Sequence, residues 1–231
     1  MNSEKEYDEI IYESFKNDLD LCVHAIGDRT MRIILNLYEK HQKLYKQKKF
    51  RPSIIHCQIA SKDILKKFKK LDIIANIQPV FVCSDWQIAE RRVGVERLKY
   101  SYCWKKFLKQ GITCAGSSDA PVESFNPIYG IHAAVNRQDL TGMPAEGWIP
   151  EEKLDLKEAI LLFTKGSAFL SHEEDFKGSF EVGKYADFVA LSSDLFTINK
   201  EQIKDVLVEK TIVGGIIIHQ KEVLSTAKDF A

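Results

Sequence analysis

Apolar residues recur at helical spacing from Glu4 to Leu19, where Tyr7, Ile10, Ile11, Phe15 and Leu19 share one side, and the period changes abruptly at Leu21-Cys22-Val23. This pattern predicts a helix feeding a buried strand. The alternation of short apolar run and amphipathic stretch then repeats. Leu21 to His24 precedes a helical run from Thr30 to about Leu44, and Pro52 to His56 precedes the run from Ser61 to Leu71. Two further strands are predicted at Ile73 to Gln78 and Ile112 to Gly116, with helical material after each. Continuous apolar strands separated by amphipathic helices are what a parallel sheet covered on both faces requires, so the fold class is α/β.

Beyond Asp119 the spacing predicts helices near Pro127 to Arg137 and Leu156 to Thr164, separated by a polar loop with Gly142, Pro144, Gly147 and Pro150. After Gly178 the texture changes to short strands. Asp187 to Leu191 is one, and Lys210 to Val213 and Ile216 to His219 flank Gly214-Gly215, a two-residue hairpin signal. The expected division is a main unit over residues 1–175 and a small β annex over residues 176–231. A complete eight-stranded barrel needs about 250 residues, whereas about 170 precede the annex here and hold four strand and helix units. The pattern is that of half a larger architecture.

Composition narrows the function. With 33 basic and 33 acidic residues in 231, and 45% apolar positions, the chain has a globular composition without the basic excess of a nucleic-acid or anionic-membrane binder. The five cysteines include no Cys-x-x-Cys pair and mostly sit in apolar runs, which reads as buried thiols in a reducing compartment. Met1 to Glu6 has no apolar stretch of signal-peptide type, and Thr211 to Ile218 is too short to span a bilayer, so a cytoplasmic location without membrane contact is expected.

The candidate chemistry lies at strand ends. His24 and His56 each close a predicted strand, Gln78 closes a third, and the fourth runs into Ser117-Ser118-Asp119. In a parallel sheet these ends point the same way, where loops converge on a common mouth. A lone strand-end histidine is more often structural, but two at equivalent positions with a carboxylate at a third make a plausible donor set for zinc or a similar divalent ion. Competing motifs fail. Gly116-Ser117-Ser118-Asp119-Ala120 is not a nucleophile elbow, Gly183-Lys184 lacks the preceding glycine of a P-loop, and no Gly-x-Gly-x-x-Gly occurs. Lysines 62, 66, 67, 69 and 70 read as the solvated face of one helix, and His41, His132, His172 and His219 as surface or packing residues.

The words His24-Ala25-Ile26-Gly27-Asp28-Arg29, Ile54-Ile55-His56-Cys57-Gln58, Gln78-Pro79 with Ser84-Asp85, and Gly116-Ser117-Ser118-Asp119-Ala120-Pro121-Val122 occur in the order seen in one enzyme family. Together they resemble metal-dependent amidohydrolases of the YtcJ-like group, amidohydrolase family 3. The stretch from Lys177 to Val189 is similar to the segment with which such enzymes re-enter their small β-sandwich, and Thr211 to Gly215 resembles its closing hairpin. The resemblance runs from about Leu21 to Ile218.

It implies the carboxy-terminal half of a TIM-barrel metallo-hydrolase, strands five to eight, followed by part of a β-sandwich. The activity implied is hydrolysis of non-peptide, amide-like C–N bonds of a small molecule by a metal-activated water. His24 and His56 would be metal ligands, and Asp119 the carboxylate that binds metal or accepts the proton of the attacking water. The ion would be divalent, with zinc as first choice. Gln78 and Arg137 are the candidates for substrate contact from the mouth, with helix capping and a surface ion pair as their alternative readings. Relatives also carry a His-x-His pair after the first barrel strand and a further ligand near the fourth, and no His-x-His occurs here. The expectation is therefore a fragment of a longer product, a chain completed by a missing amino-terminal half or by a homo-oligomer partner, or an inactive remnant. The alternative function is a non-catalytic half-barrel interaction or oligomerisation module.

Overall fold

In a computed structural model of the chain, which describes residues 3–221, the elements follow the predicted alternation closely. Helix α1 (Glu4–Lys16) opens on a capping box between Ser3 and Glu6 and leads to β1 (Cys22–Ala25). Helices α2 (Asp28–Lys40) and α3 (Gln42–Gln47) connect β1 to β2 (Ser53–His56), and α4 (Lys62–Leu71) connects β2 to β3 (Ile74–Ile77). A longer excursion through α5 (Phe81–Val93), α6 (Val95–Leu98) and α7 (Trp104–Lys109) returns the chain to β4 (Cys114–Gly116). Then come α8 (Pro127–Asn136), α9 (Leu156–Leu161), a π-helical turn over Leu162–Gly166, and α10 (Ser167–Leu170).

The four strands form one parallel sheet in the order β1-β2-β3-β4, with Ala25 beside His56 and Ile77 beside Gly116. A doubly wound sheet reverses its order at a switch point. This one does not reverse, so all four carboxyl ends lie along one rim in chain order. The sheet is held from its helical side by Met31, Ile34 and Leu35 of α2, Ile64, Leu65 and Phe68 of α4, and Trp104 and Phe107 of α7, all buried. Two tyrosines pin this helical layer to neighbouring backbone. Tyr38 donates its hydroxyl to the Ser53 carbonyl at 3.2 Å, and Tyr45 donates to that of Leu71 at 2.8 Å.

The two outer edges of the sheet differ. At β4, Ala75 N donates to Thr113 O and Ser117 N to Ile77 O, so the alternate carbonyls of Cys114 and Gly116 face away from β3. The turn after α9 lies against them. Ser167 Oγ donates to Gly116 O at 2.9 Å, and a Cβ at Gly166 would run into the Cys114 carbonyl. At the other margin β1 pairs only with β2 among the described residues, and Cys22 and His24 are exposed. This corrects the expectation of uniformly buried thiols. Cys57, Cys103 and Cys114 are buried, Cys83 is half-buried, and Cys22 is exposed because its strand has no neighbour on one side. All five thiols are free.

The annex is a three-stranded antiparallel sheet of β5 (Phe188–Leu191), β6 (Val208–Val213) and β7 (Ile216–Gln220). Gly214 and Gly215 take φ of 57° and 80°, the double positive φ of the predicted two-residue hairpin. Leu195, Ile203 and Val206 join the core of the main sheet, while Val189, Ile216, Ile217 and Ile218 are exposed. Residues 222–231 of the predicted annex lie outside the described residues. Among the described residues, no helix is long and apolar enough to cross a membrane.

Candidate metal centre

The carboxyl rim gathers most of the residues singled out from the sequence. His24 comes from β1 and His56 from the end of β2, and the register of the pair sets them one step apart across neighbouring strands. Their rings meet edge to face with centroids 4.5 Å apart. His56 also packs its ring against Phe81 of α5 at 5.9 Å. The backbone at this strand end is unusual, since His56 and Cys57 adopt φ of 78° and 53° in succession. Non-glycine residues are held there only where the surroundings over-determine them, and such positions concentrate at functional sites.

His56 is only 4% exposed, and its Nδ1 has no hydrogen-bond partner among the described residues. Burial lowers its pKa below the usual imidazole value, the His24 ring adds to this, and the Asp119 carboxylate opposes both. Asp119 is half-buried at the end of the β4 loop, in a left-handed conformation with φ of 62° that an aspartate tolerates. Its carboxylate is near enough to act on His56. It does not complete a cluster with the two histidines: among the described residues, no group of three or more His, Cys, Asp or Glu side chains is placed to hold a metal ion. The donor types, two imidazoles and a carboxylate, do suit a divalent cation of borderline softness.

Gln78 lies at the same rim but beneath it, 1% exposed. Its Nε2 donates to Ser117 Oγ at 2.8 Å, and Ser117 Oγ donates in turn to Asn76 Oδ1 at 2.9 Å. Sequence reasoning did not assign Asn76 or Ser117 a role. The available signal was a lone amide inside the otherwise apolar strand Ile73 to Ile77.

Arg137 is buried. It ends α8 in a left-handed conformation, and its guanidinium, 1% exposed, lies over the rings of Trp104 and Trp148. It donates from Nε to the Trp148 carbonyl at 2.9 Å and from Nη1 to that of Tyr102 at 3.1 Å. Burial pulls its pKa down to about 10. This burial corrects the surface ion pair reading, since the guanidinium bonds to backbone carbonyls instead. The residue staples the loop at Trp148 to the segment at Tyr102, which in turn donates its amide to the Gln58 carbonyl two residues beyond His56.

Of the other histidines, His219 is exposed on β7 and three have local partners. His41 contacts Asp8 at 2.7 Å, His172 contacts Asp20, and His132 is fully buried against Asn136 and the Asp139 carbonyl.

Known proteins resemble this chain over most of its length. The chain is 34% identical over 212 residues to the putative amidohydrolase YtcJ of Bacillus subtilis (strain 168), covering 92% of this chain and 40% of that protein. It is 24% identical over 221 residues to the N-substituted formamide deformylase of Arthrobacter pascens, covering 95% of this chain and 40% of that one. Among solved structures, an uncharacterized metal-dependent hydrolase from Pyrococcus horikoshii OT3 superposes with a TM-score of 0.75 at 30% identity, covering 87% of this chain and 39% of that chain. The chain thus spans about 40% of the length of the curated relatives cited. Residues 1–219 match the model of the amidohydrolase family, and the chain belongs to that family, in its YtcJ-like group.

Proposed function

We propose that this chain contributes the His24, His56 and Asp119 side of a metal centre that hydrolyses amide-like, non-peptide C–N bonds of a small molecule. The observation that carries the reading is the meeting of the two imidazole rings at one rim of a parallel sheet, with a carboxylate acting on one of them. A divalent ion bound there, zinc by the nitrogen and oxygen character of the donors, would supply Lewis acidity and a more acidic water. The protein's own part is to hold two imidazole rings at the mouth and to set the Asp119 carboxylate near His56 as an acceptor for a proton. The deformylase relative supports C–N bonds as the substrate class.

The sequential parallel sheet supports a barrel segment, strands five to eight in the family's architecture. On this reading the remaining ligands and the opposite wall of the mouth come from outside these 231 residues, from a further segment or from a second copy. The test is zinc binding by calorimetry, together with hydrolysis of N-acyl and N-formyl amines by the chain alone and joined to an upstream segment from a relative. His24→Ala and His56→Ala should each abolish zinc binding. Retention of affinity in both variants sinks the metal centre.

A second reading is supported by the exposed apolar strands of the annex, Val189 and Ile216 to Ile218, which suit a module that associates without catalysis. Native mass spectrometry with metal analysis separates the two, because this reading predicts a stable metal-free oligomer.

A further inference from the structure

Two buried polar atoms beneath the rim lack partners, and they are chemically complementary. One is His56 Nδ1 and the other Gln78 Oε1. His56 ends β2 and Gln78 directly follows β3, the strand paired beside it, and neither atom has a hydrogen-bond partner among the described residues.

The orientation of the Gln78 amide is fixed by what surrounds its other end. Its Nε2 donates to Ser117 Oγ at 2.8 Å and stands 3.3 Å from the backbone carbonyl of Asn76. A backbone carbonyl only accepts, so the end of the amide turned toward it carries the hydrogens. The single hydroxyl proton of Ser117 is committed to Asn76 Oδ1. The relay from Gln78 through Ser117 to Asn76 therefore has one direction, and it leaves Oε1 as an acceptor held in place. His56 has little freedom to seek another partner, because His24 and Phe81 pack edge-on against its ring.

We propose that Gln78 is a positioning residue for His56: its Oε1 accepts the Nδ1 proton, holds the ring in the Nδ1–H tautomer, and leaves the Nε2 lone pair free to face an ion. Closing that bond removes two unsatisfied buried groups together. Histidine ligands are commonly oriented in this way, through a hydrogen bond from the ring nitrogen that does not bind. Here the acceptor is an amide set by Asn76 and Ser117, which gives those two residues a purpose. The inference deepens the metal-centre reading and rests on it for its consequence, while the tautomer itself is a property of the metal-free chain.

The test uses the full 231-residue chain, labelled with nitrogen-15 at histidine, freed of metal by chelation and held at about pH 8, above the usual imidazole pKa. Nitrogen chemical shifts and two-bond couplings report which ring nitrogen carries the proton, and His56→Asn assigns the signal. The wild-type protein should show His56 as the Nδ1–H tautomer. Gln78→Leu should move the population toward Nε2–H, Gln78→Glu should restore Nδ1–H, and Ser117→Ala should give an intermediate shift. Zinc affinity of Gln78→Leu should fall by about 10- to 100-fold, the usual effect of losing such a partner. If Gln78→Leu does not fold, Ser117→Ala carries the test, since Ser117 is only half-buried. An Nε2–H tautomer in the wild-type protein, or a tautomer unmoved by every folded variant, overturns the proposal. Loss of the metal reading shows separately, as zinc affinity indifferent to His24→Ala and His56→Ala.

Discussion

The parallel and antiparallel sheets are built from similar residues, with isoleucine and valine prominent in both, yet they end in opposite conditions. Ile54, Ile74 and Ile77 of the parallel sheet are buried, whereas Ile216, Ile217 and Ile218 of β7 stand in solvent. The difference lies in the connections. Each parallel strand is followed by a helix long enough to fold back on the sheet, as α2 and α4 do, while β6 and β7 are joined by two glycines and bring no cover with them. An apolar strand is thus not evidence of a buried strand until the segment that covers it has been found.

Substitutions on the two sheets should separate by their cost. Phe68 is fully buried and packs edge-on against Phe107 at 5.3 Å, so Phe68→Ala should lose about 3–5 kcal/mol in urea denaturation. Ile217→Ser on β7 should cost no more than about 0.5 kcal/mol by the same measurement. Equal losses would erase the distinction between a covered and an uncovered sheet.

Arg137→Ala removes two charge-assisted bonds to carbonyls and should cost about 3 kcal/mol, leaving zinc affinity of the folded protein unchanged. A selective loss of zinc binding would return Arg137 to the site. At the β4 edge, Gly166→Ala forces a methyl group into the Cys114 carbonyl and should cost about 1–3 kcal/mol in thermal unfolding. A neutral result would mean that the turn does not seal this edge.

The smallest effect concerns pH. Glu174, paired with Arg51, has its pKa lowered to about 2 by that guanidinium. A depressed carboxylate stabilises the fold above its unfolded pKa and loses that contribution as pH falls, here between about 4.3 and 2. The partly exposed pair should account for less than about 1 kcal/mol, read as the difference between wild type and Glu174→Gln across that window. A difference that grows with rising pH beyond that window would contradict the assignment.

The fold was largely legible because four continuous apolar runs alternate with helical periodicity, and each polar strand end marks where a strand stops. The π-turn was not legible. Leu161, Leu162 and Phe163 keep ordinary helical spacing, and what widens the turn is the nearness of Gly166 to a carbonyl 52 residues earlier in the chain, at Cys114. Arg137 was misplaced for a related reason: an arginine destined for backbone carbonyls looks the same in one dimension as one bound for solvent. His24 and His56 were readable as equivalent strand ends, but the path from Gln78 through Ser117 to Asn76 depends on side-chain directions across two strands, which spacing alone does not reveal.

The unequal margins of the parallel sheet have a further consequence. One side is closed by the turn at Gly166 and Ser167, and the other, at β1, offers its backbone among the described residues. Such a sheet can accept a new strand from one direction only, so strand addition there stops after a single event. A pair of copies joined through β1 is reachable by that route, and a filament growing through this sheet is not.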